Sequence, residues 1–260
     1  MVDKNTLARK RNPGIKKSLQ KRGIYLLPNL FTAASLFSGF YAIVQAMNGK
    51  FEHAAVAIFL AMVMDGLDGR VARLTNTQSP FGAEFDSLSD MVSFGVAPAL
   101  ILYVWALQPM GKLGWIAAFI YCACAALRLA RFNTKLDSSD KRYFQGLPSP
   151  AAASLMAGLV YVCFDNGIAG DTVYAAWFKM KWVAWAITVF AGLSMISNLR
   201  FYSGKDINLR ESVPFIVIFV FVMVMALISY SPAEVLFVGA LFYSLSGYLS
   251  ALMRRKNLEE

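Results

Sequence analysis

The sequence predicts an all-α, polytopic membrane helical bundle of about eight transmembrane helices, and three observations predict it. Of its 260 residues, 57% are hydrophobic and 16% charged, against roughly 45–50% apolar and ~25% charged in an ordinary soluble domain. Apolar runs long enough to cross ~30 Å of hydrocarbon recur along the whole chain. The basic residues behind the formal net charge of +9 are segregated by position along the chain. A nucleic-acid-binding face would instead gather them on one patch, so nucleic acid is not an expected partner.

Windows of about 19 residues place apolar stretches near 25–47, 54–73, 88–108, 113–132, 149–165, 182–199, 212–230 and 232–252. The first is longer than the 7–15-residue apolar region of a secretory signal, so it reads as a retained span. A basic arm, residues 1–24, precedes it and suits the anionic inner leaflet. The fifth stretch is short, and Lys179 and Lys181 interrupt the apolar run that leads into the sixth. The connections are short and no internal repeat appears, so residues 25–252 form one membrane domain with a tail at 253–260. The most loop-like connections are 133–148 and 198–210. The first of them ends in Gly146-Leu147-Pro148-Ser149-Pro150, a turn followed by a helix start.

With the N-terminus on the cytoplasmic side, all Lys and Arg residues except Lys50, Lys112, Lys179 and Lys181 fall inside. Both termini are therefore expected in the cytoplasm. Arg200, Lys205 and Arg210 mark the inner side in the same way. Trp105, Trp115, Trp177 and Trp182 fall near the outer interface, where a belt of anchors is expected. Cys122, Cys124 and Cys163 lie in apolar helices and are odd in number, which argues against disulfides and a zinc site. The single histidine, His53, falls at an outer helix start and is expected to be solvated.

Against this background the carboxylates in the second and third spans stand out. An ionised carboxylate in a membrane costs several kcal/mol unless it finds a partner or water. Asp65 lies nine residues before Leu74, ~14 Å from the inner end of its helix, so the site opens toward the cytoplasmic half. Asp65 and Asp68 are three apart and Asp86 and Asp90 four apart, so each pair shares a helix face. A short connection over 75–84 makes the two helices antiparallel neighbours whose acidic faces converge. Four like charges at that range cannot all stay ionised unaided. Two divalent cations, Mg²⁺ or Mn²⁺, would formally cancel them, and oxygen donors without clustered His or Cys suit those metals. The bland alternative pairs Asp65 and Asp68 with Arg70 and Arg73, and leaves Asp86 and Asp90 to the dipole of a helix start.

The run Asp65-x-x-Asp68-Gly69-x-x-Ala72-Arg73, then eight residues, then Gly82-x-x-x-Asp86-x-x-x-Asp90, resembles the signature of the CDP-alcohol phosphotransferases without departure. Chance agreement at eight positions is on the order of 10⁻¹⁰ per start. Within that family the chain is similar to the branch that acts on CDP-diacylglycerol and L-serine. The similar stretches are Pro28-Asn29-Leu30-Phe31-Thr32, Ser38-Gly39-Phe40, Asp86-Ser87-Leu88-Ser89-Asp90-Met91-Val92-Ser93-Phe94-Gly95, Leu127-Arg128-Leu129-Ala130-Arg131-Phe132-Asn133, and the turn from Gly146 into Ala151. They cover roughly the first 155 residues, and the last three spans carry no such motif.

The resemblance implies that Asp65, Asp68, Asp86 and Asp90 hold two divalent cations, with Asp90 also the general base. It implies that Gly69, Ala72, Arg73 and Gly82 accommodate the CDP group, with Asn29 and Thr32 as nucleotide contacts, and that the chain pairs as a homodimer in the cell membrane. Its active site would face the cytoplasm and take CDP-diacylglycerol from the bilayer.

For an acceptor bearing a carboxylate, Arg128 and Arg131 at the inner end of the fourth span can form a bidentate site. Both could equally snorkel to the interface. Two alternatives stay open. One is the same chemistry with glycerol 3-phosphate, inositol phosphate or choline, of which choline would favour an aromatic cage. The other is a cation transporter built on the four acids.

Overall fold

The computed structural model describes residues 13–134, 143–168, 174–202 and 215–259. Helix α1 (Pro13–Met47) runs unbroken from the second half of the expected basic arm into the first span. The arm is thus partly a continuation of that span, and residues 1–12 lie outside the described residues. A tight turn with Gly49 at φ +71° leads into α2 (Phe51–Leu74). Alanines line the seam between the two helices: Ala42, Ala46, Ala54 and Ala61 are all buried. Without large side chains the backbones approach closely, which is how helices gain contact where no hydrophobic effect drives them together.

The third span begins earlier than the hydropathy suggests. Ser79, in extended conformation, caps helix α3 (Pro80–Asp90) by accepting the Gly82 N–H, and Pro80 occupies the first turn. The helix then passes through a π-helical turn at Met91–Val96, helix α4 (Ala97–Leu102), a second π turn at Tyr103–Leu107 and a 3₁₀ turn at Gln108–Met110. Together these form one rod, Pro80–Met110. The rod touches α1 at Gly39, where an added Cβ would fall 2.6 Å from Ser93 Cα. Only glycine allows that approach.

Helix α5 (Lys112–Thr134) returns along the rod. Strand β1 (Tyr143–Gln145), helix α6 (Ser149–Asp165), helix α7 (Tyr174–Ile196) and strand β2 (Arg200–Tyr202) follow. Helices α8 (Phe215–Tyr230) and α9 (Pro232–Glu259) complete the described chain. The two strands pair antiparallel, Phe144 opposite Phe201. Sequence periodicity read both segments only as loops, because three-residue strands carry too few positions to show alternation. Lys205 and Arg210 lie outside the described residues.

Each expected span corresponds to a helix. Four of them, over Leu27–Met47, Pro80–Met110, Lys112–Thr134 and Pro232–Met253, are long and apolar enough to cross a membrane by length and composition. Helix α2 carries Glu52, Asp65, Asp68, Arg70 and Arg73. The apolar parts of α6, α7 and α8 are shorter. Large apolar side chains such as Phe37 (69% exposed), Phe119 (63%) and Phe242 (71%) point outward. A multi-pass membrane protein shows this arrangement, with lipid taking the place of water around it.

Trp115 and Trp182 are exposed as expected of belt anchors, but Trp105 is 6% exposed. The second π turn aims Trp105 into the bundle, so it packs in the core and does not anchor at the interface. The Trp177 side chain lies outside those described. Cys124 and Cys163 are buried and Cys122 half-buried, all as free thiols.

Candidate active site

Helix α2 supplies Asp65 and Asp68 one turn apart, and α3 supplies Asp86 and Asp90. One carboxylate oxygen from each of Asp65, Asp68 and Asp86 lies within 4.8 Å of the others. Asp90 meets Asp65 side chain to side chain. All four acids open into one cavity of about 560 Å³, and Asp68 is 5% exposed. The acids that the spacing paired on two helices therefore do converge.

The structure argues against the bland alternatives. Arg73 is exposed and turns back to donate its Nε–H to the Gly69 carbonyl at 2.9 Å. Helix α3 starts at Pro80, which puts Asp86 and Asp90 beyond the first turn, where the dipole's attraction has faded.

A divalent cation fits this set. Asp86 Oδ1 and Asp90 Oδ1 are buried and have no hydrogen-bond partner among the described residues. A buried, unpartnered carboxylate oxygen is costly, and the donor set is all oxygen, as Mg²⁺ and Mn²⁺ require.

Helix α1 holds the cluster from behind through hydroxyl groups. Thr32 Oγ1 donates to Asp68 Oδ2 at 2.7 Å. Ser89 Oγ, between the two acids of α3, donates to the Thr32 carbonyl at 3.1 Å. Ser93 Oγ donates to the Ser35 carbonyl at 3.0 Å, and Ser35 Oγ to the Ala61 carbonyl at 3.1 Å. Thr32, Ser35, Ser89 and Ser93 are all buried. These bonds tie α1, α2 and the rod into one frame, in which Thr32, expected as a nucleotide contact, holds a cluster acid.

Of the other nucleotide candidates, Gly69 lines the cavity with open space where a Cβ would be. A Cβ on Gly82 would lie 3.4 Å from Asn29 Oδ1, so those two adjoin at the start of α3. Ala72 is half-buried on α2.

The π turn after Asp90 has its own support. An extra residue in a helical turn leaves a carbonyl without its usual partner. The Tyr121 hydroxyl of α5 donates to the Phe94 carbonyl at 2.8 Å, and both side chains are fully buried. The π turn sets the rotation of Asp86 and Asp90 relative to the rest of the rod. Tyr121→Phe is expected to lower stability by about 1–3 kcal/mol, the cost of an unsatisfied buried carbonyl. Thermal unfolding in detergent measures it, and an unchanged midpoint would refute this support.

The same cavity is lined by Arg128 of α5, Ser149 at the start of α6 and Tyr243 of α9. Arg128 Nη1 donates to Ser149 Oγ at 2.6 Å. The two expected arginines part company here. Arg128 joins the cavity, while Arg131 reaches the Ser197 carbonyl at 3.5 Å and braces the segment ahead of β2. One helical turn apart placed them on one face, but the sequence did not show that α7 ends beside Arg131.

Sequence reasoning did not single out Tyr243 at all, and Ser149 appeared there only as part of a turn. Ala233, Ala240, Ser244 and Gly247 are buried along α9. That run of small residues at helical spacing was the available signal for the inward face of the last helix. His53 is exposed and lies away from this cavity.

A metal-suited acid cluster on two adjoining helices of a multi-pass membrane protein, sharing one cavity with a guanidinium, marks a membrane enzyme that works on phosphate esters. The family model described as CDP-alcohol phosphatidyltransferase matches residues 25–193, and the chain belongs to that family. It is 38% identical over 229 residues to a CDP-diacylglycerol–serine O-phosphatidyltransferase of Helicobacter pylori, covering 87% of this chain and 91% of that protein. A protein of the same description from Mycobacterium tuberculosis is 39% identical over 189 residues, covering 70% of this chain and 65% of its own length. One from Saccharomyces cerevisiae is 40% identical over 161 residues, with 56% and 57% covered.

Proposed function

We propose that this chain transfers the phosphatidyl group of CDP-diacylglycerol to the hydroxyl of L-serine, giving phosphatidylserine and CMP. The observation that carries the reading is the cavity lined by Asp65, Asp68, Asp86 and Asp90 together with Arg128. Its acid wall suits a diphosphate held through cations, and its basic wall suits the carboxylate of an amino-acid acceptor. Relatives described as serine O-phosphatidyltransferases at 36–40% identity support the choice of acceptor. A transporter would leave the glycine and arginine spacing of the motif without a purpose.

Asp65, Asp68, Asp86 and Asp90 would hold two divalent cations, Mg²⁺ or Mn²⁺, which when bound offset the charge of the diphosphate and of the departing CMP. The chain's own residues do the rest. Gly69, with no side chain toward the cavity, leaves room for the nucleotide. Asn29, Ala72, Arg73 and Gly82 would accommodate it, with the exposed Arg73 exchanging its bond to the Gly69 carbonyl for one to the phosphate. Asp90 accepts the proton of the serine hydroxyl. That oxygen forms a bond to the lipid-side phosphorus, and the bond from this phosphorus to the bridging oxygen breaks. CMP leaves with that oxygen. Arg128 orients the acceptor by its carboxylate, whereas Arg131 contributes by bracing the backbone near Ser197.

The reading also takes the chain as eight spans in the cell membrane over residues 25–252, with a basic arm at 1–24 and a tail at 253–260. Both termini and the mouth of the cavity face the cytoplasm, and two copies pair as a homodimer. The basic residue distribution supports this orientation.

Purified protein incubated with CDP-diacylglycerol, labelled acceptors and Mg²⁺ or Mn²⁺ tests the function. Labelled phosphatidylserine with stoichiometric CMP is the expected product. Product from glycerol 3-phosphate alone, or turnover that survives exhaustive chelation, would overturn it.

A further inference from the structure

The last helix carries none of the recognised motif, yet it reaches the reacting cavity through Tyr243. What that side chain offers is set by how it is held. Its hydroxyl donates to the Tyr202 carbonyl of β2 at 3.1 Å, so the hydroxyl's one proton is committed to the backbone. Its ring stands 6.0 Å from that of Phe201, tilted by 39°, and Phe201 is fully buried. One turn along α9, Gly247 leaves the space that the Phe201 ring fills. The Tyr243 ring is thus held in place at the cavity, and with its one hydroxyl proton given to β2 it can offer a cation its π electrons and its oxygen lone pairs.

An amino-acid acceptor brings three groups. Its hydroxyl belongs toward Asp90 and its carboxylate toward Arg128, which leaves the ammonium. Beside Arg128 that cation meets repulsion, the four acids of the cavity are engaged by the two cations of the reading above, and an aromatic side chain attracts a cation without adding charge. Arg128 and Tyr243 line the same cavity, so both can address neighbouring groups on one small molecule. Choline would also favour aromatic rings, but it has no carboxylate to balance Arg128.

We propose that Tyr243, held by Tyr202 and Phe201, is a specificity-determining residue that reads the ammonium of the amino-acid acceptor while Arg128 reads its carboxylate. This rests on the serine-transfer reading above, and it gives the otherwise motif-free last helix a part in acceptor choice.

The full chain is assayed with CDP-diacylglycerol and Mn²⁺, varying L-serine. Two inhibitors separate the two groups: ethanolamine carries the ammonium alone and 3-hydroxypropanoate the carboxylate alone. In Tyr243→Leu, the KM for serine and the inhibition constant of ethanolamine should both rise by about 2- to 30-fold. kcat and the constant for 3-hydroxypropanoate should stay within about twofold.

Tyr243→Phe keeps the ring, and phenylalanines of increasing fluorination at that position keep its shape while draining its π charge. The serine KM should climb stepwise along that series, which a merely structural role would not produce. CMP binding checks that each variant is folded. A flat series, or equal shifts for both inhibitors, overturns the role of Tyr243 and leaves serine transfer intact. A parent protein that releases no CMP with serine overturns the reading beneath it, and this proposal with it.

Discussion

Asp86→Asn is expected to lower turnover by on the order of 10³-fold, several kcal/mol of lost charge stabilisation, while making the metal-free protein more stable. The two effects have opposite signs for one reason. Without a cation, Asp65, Asp68 and Asp86 hold oxygens within 4.8 Å of one another, and like charges at that range repel. Asn removes one of the charges without changing the shape. With a cation, the same substitution deletes a ligand whose Oδ1 is buried and has no hydrogen-bond partner among the described residues.

CMP release measures the first effect. Thermal unfolding with and without Mn²⁺ measures the second, since the parent should gain far more from Mn²⁺ than the variant. A variant that binds Mn²⁺ as tightly as the parent would show that the cluster is not a metal centre.

Asp90→Asn should lose about 10²- to 10⁴-fold in kcat, the range for a general base, with CMP affinity changed only severalfold. Asp90 sits one turn beyond Asp86 and against Asp65, at the edge of the three-acid group and not within it. Its loss should therefore spare nucleotide binding more than loss of Asp86 does. Titration calorimetry with CMP and steady-state kinetics on the same preparation separate the two parameters. Full activity in Asp90→Asn would remove it as the base.

The acid cluster was legible because intramembrane charge is costly and helical spacing converts sequence separation into a shared face. Asp65 with Asp68, and Asp86 with Asp90, could be paired and joined across a short connection from the residue order alone. The helices that carry the apolar stretches were legible too, since hydrophobicity over twenty residues is a local property.

Other features were not legible. The Thr32–Asp68 bond joins residues 36 apart in sequence, and the Tyr121–Phe94 bond joins residues 27 apart. A threonine in an apolar span bonds its own helix as readily as a neighbour, so nothing local announces either contact. The parting of Arg128 from Arg131 depends on Ser149, which opens α6, and Ser197, which follows the end of α7.

By itself, then, the sequence determined the membrane class, the family and the four acids, because hydropathy, charge segregation and helical period act within one or two adjoining segments. Only the tertiary structure decided that α1 braces the cluster through Thr32, that a π turn sets the aim of Asp86 and Asp90, and that Tyr243 from the last helix closes the cavity beside Arg128. Those facts depend on which helices pack together and at what rotation. Packing of distant small residues such as Gly39 and Gly247 sets that rotation, and no single stretch of chain encodes it.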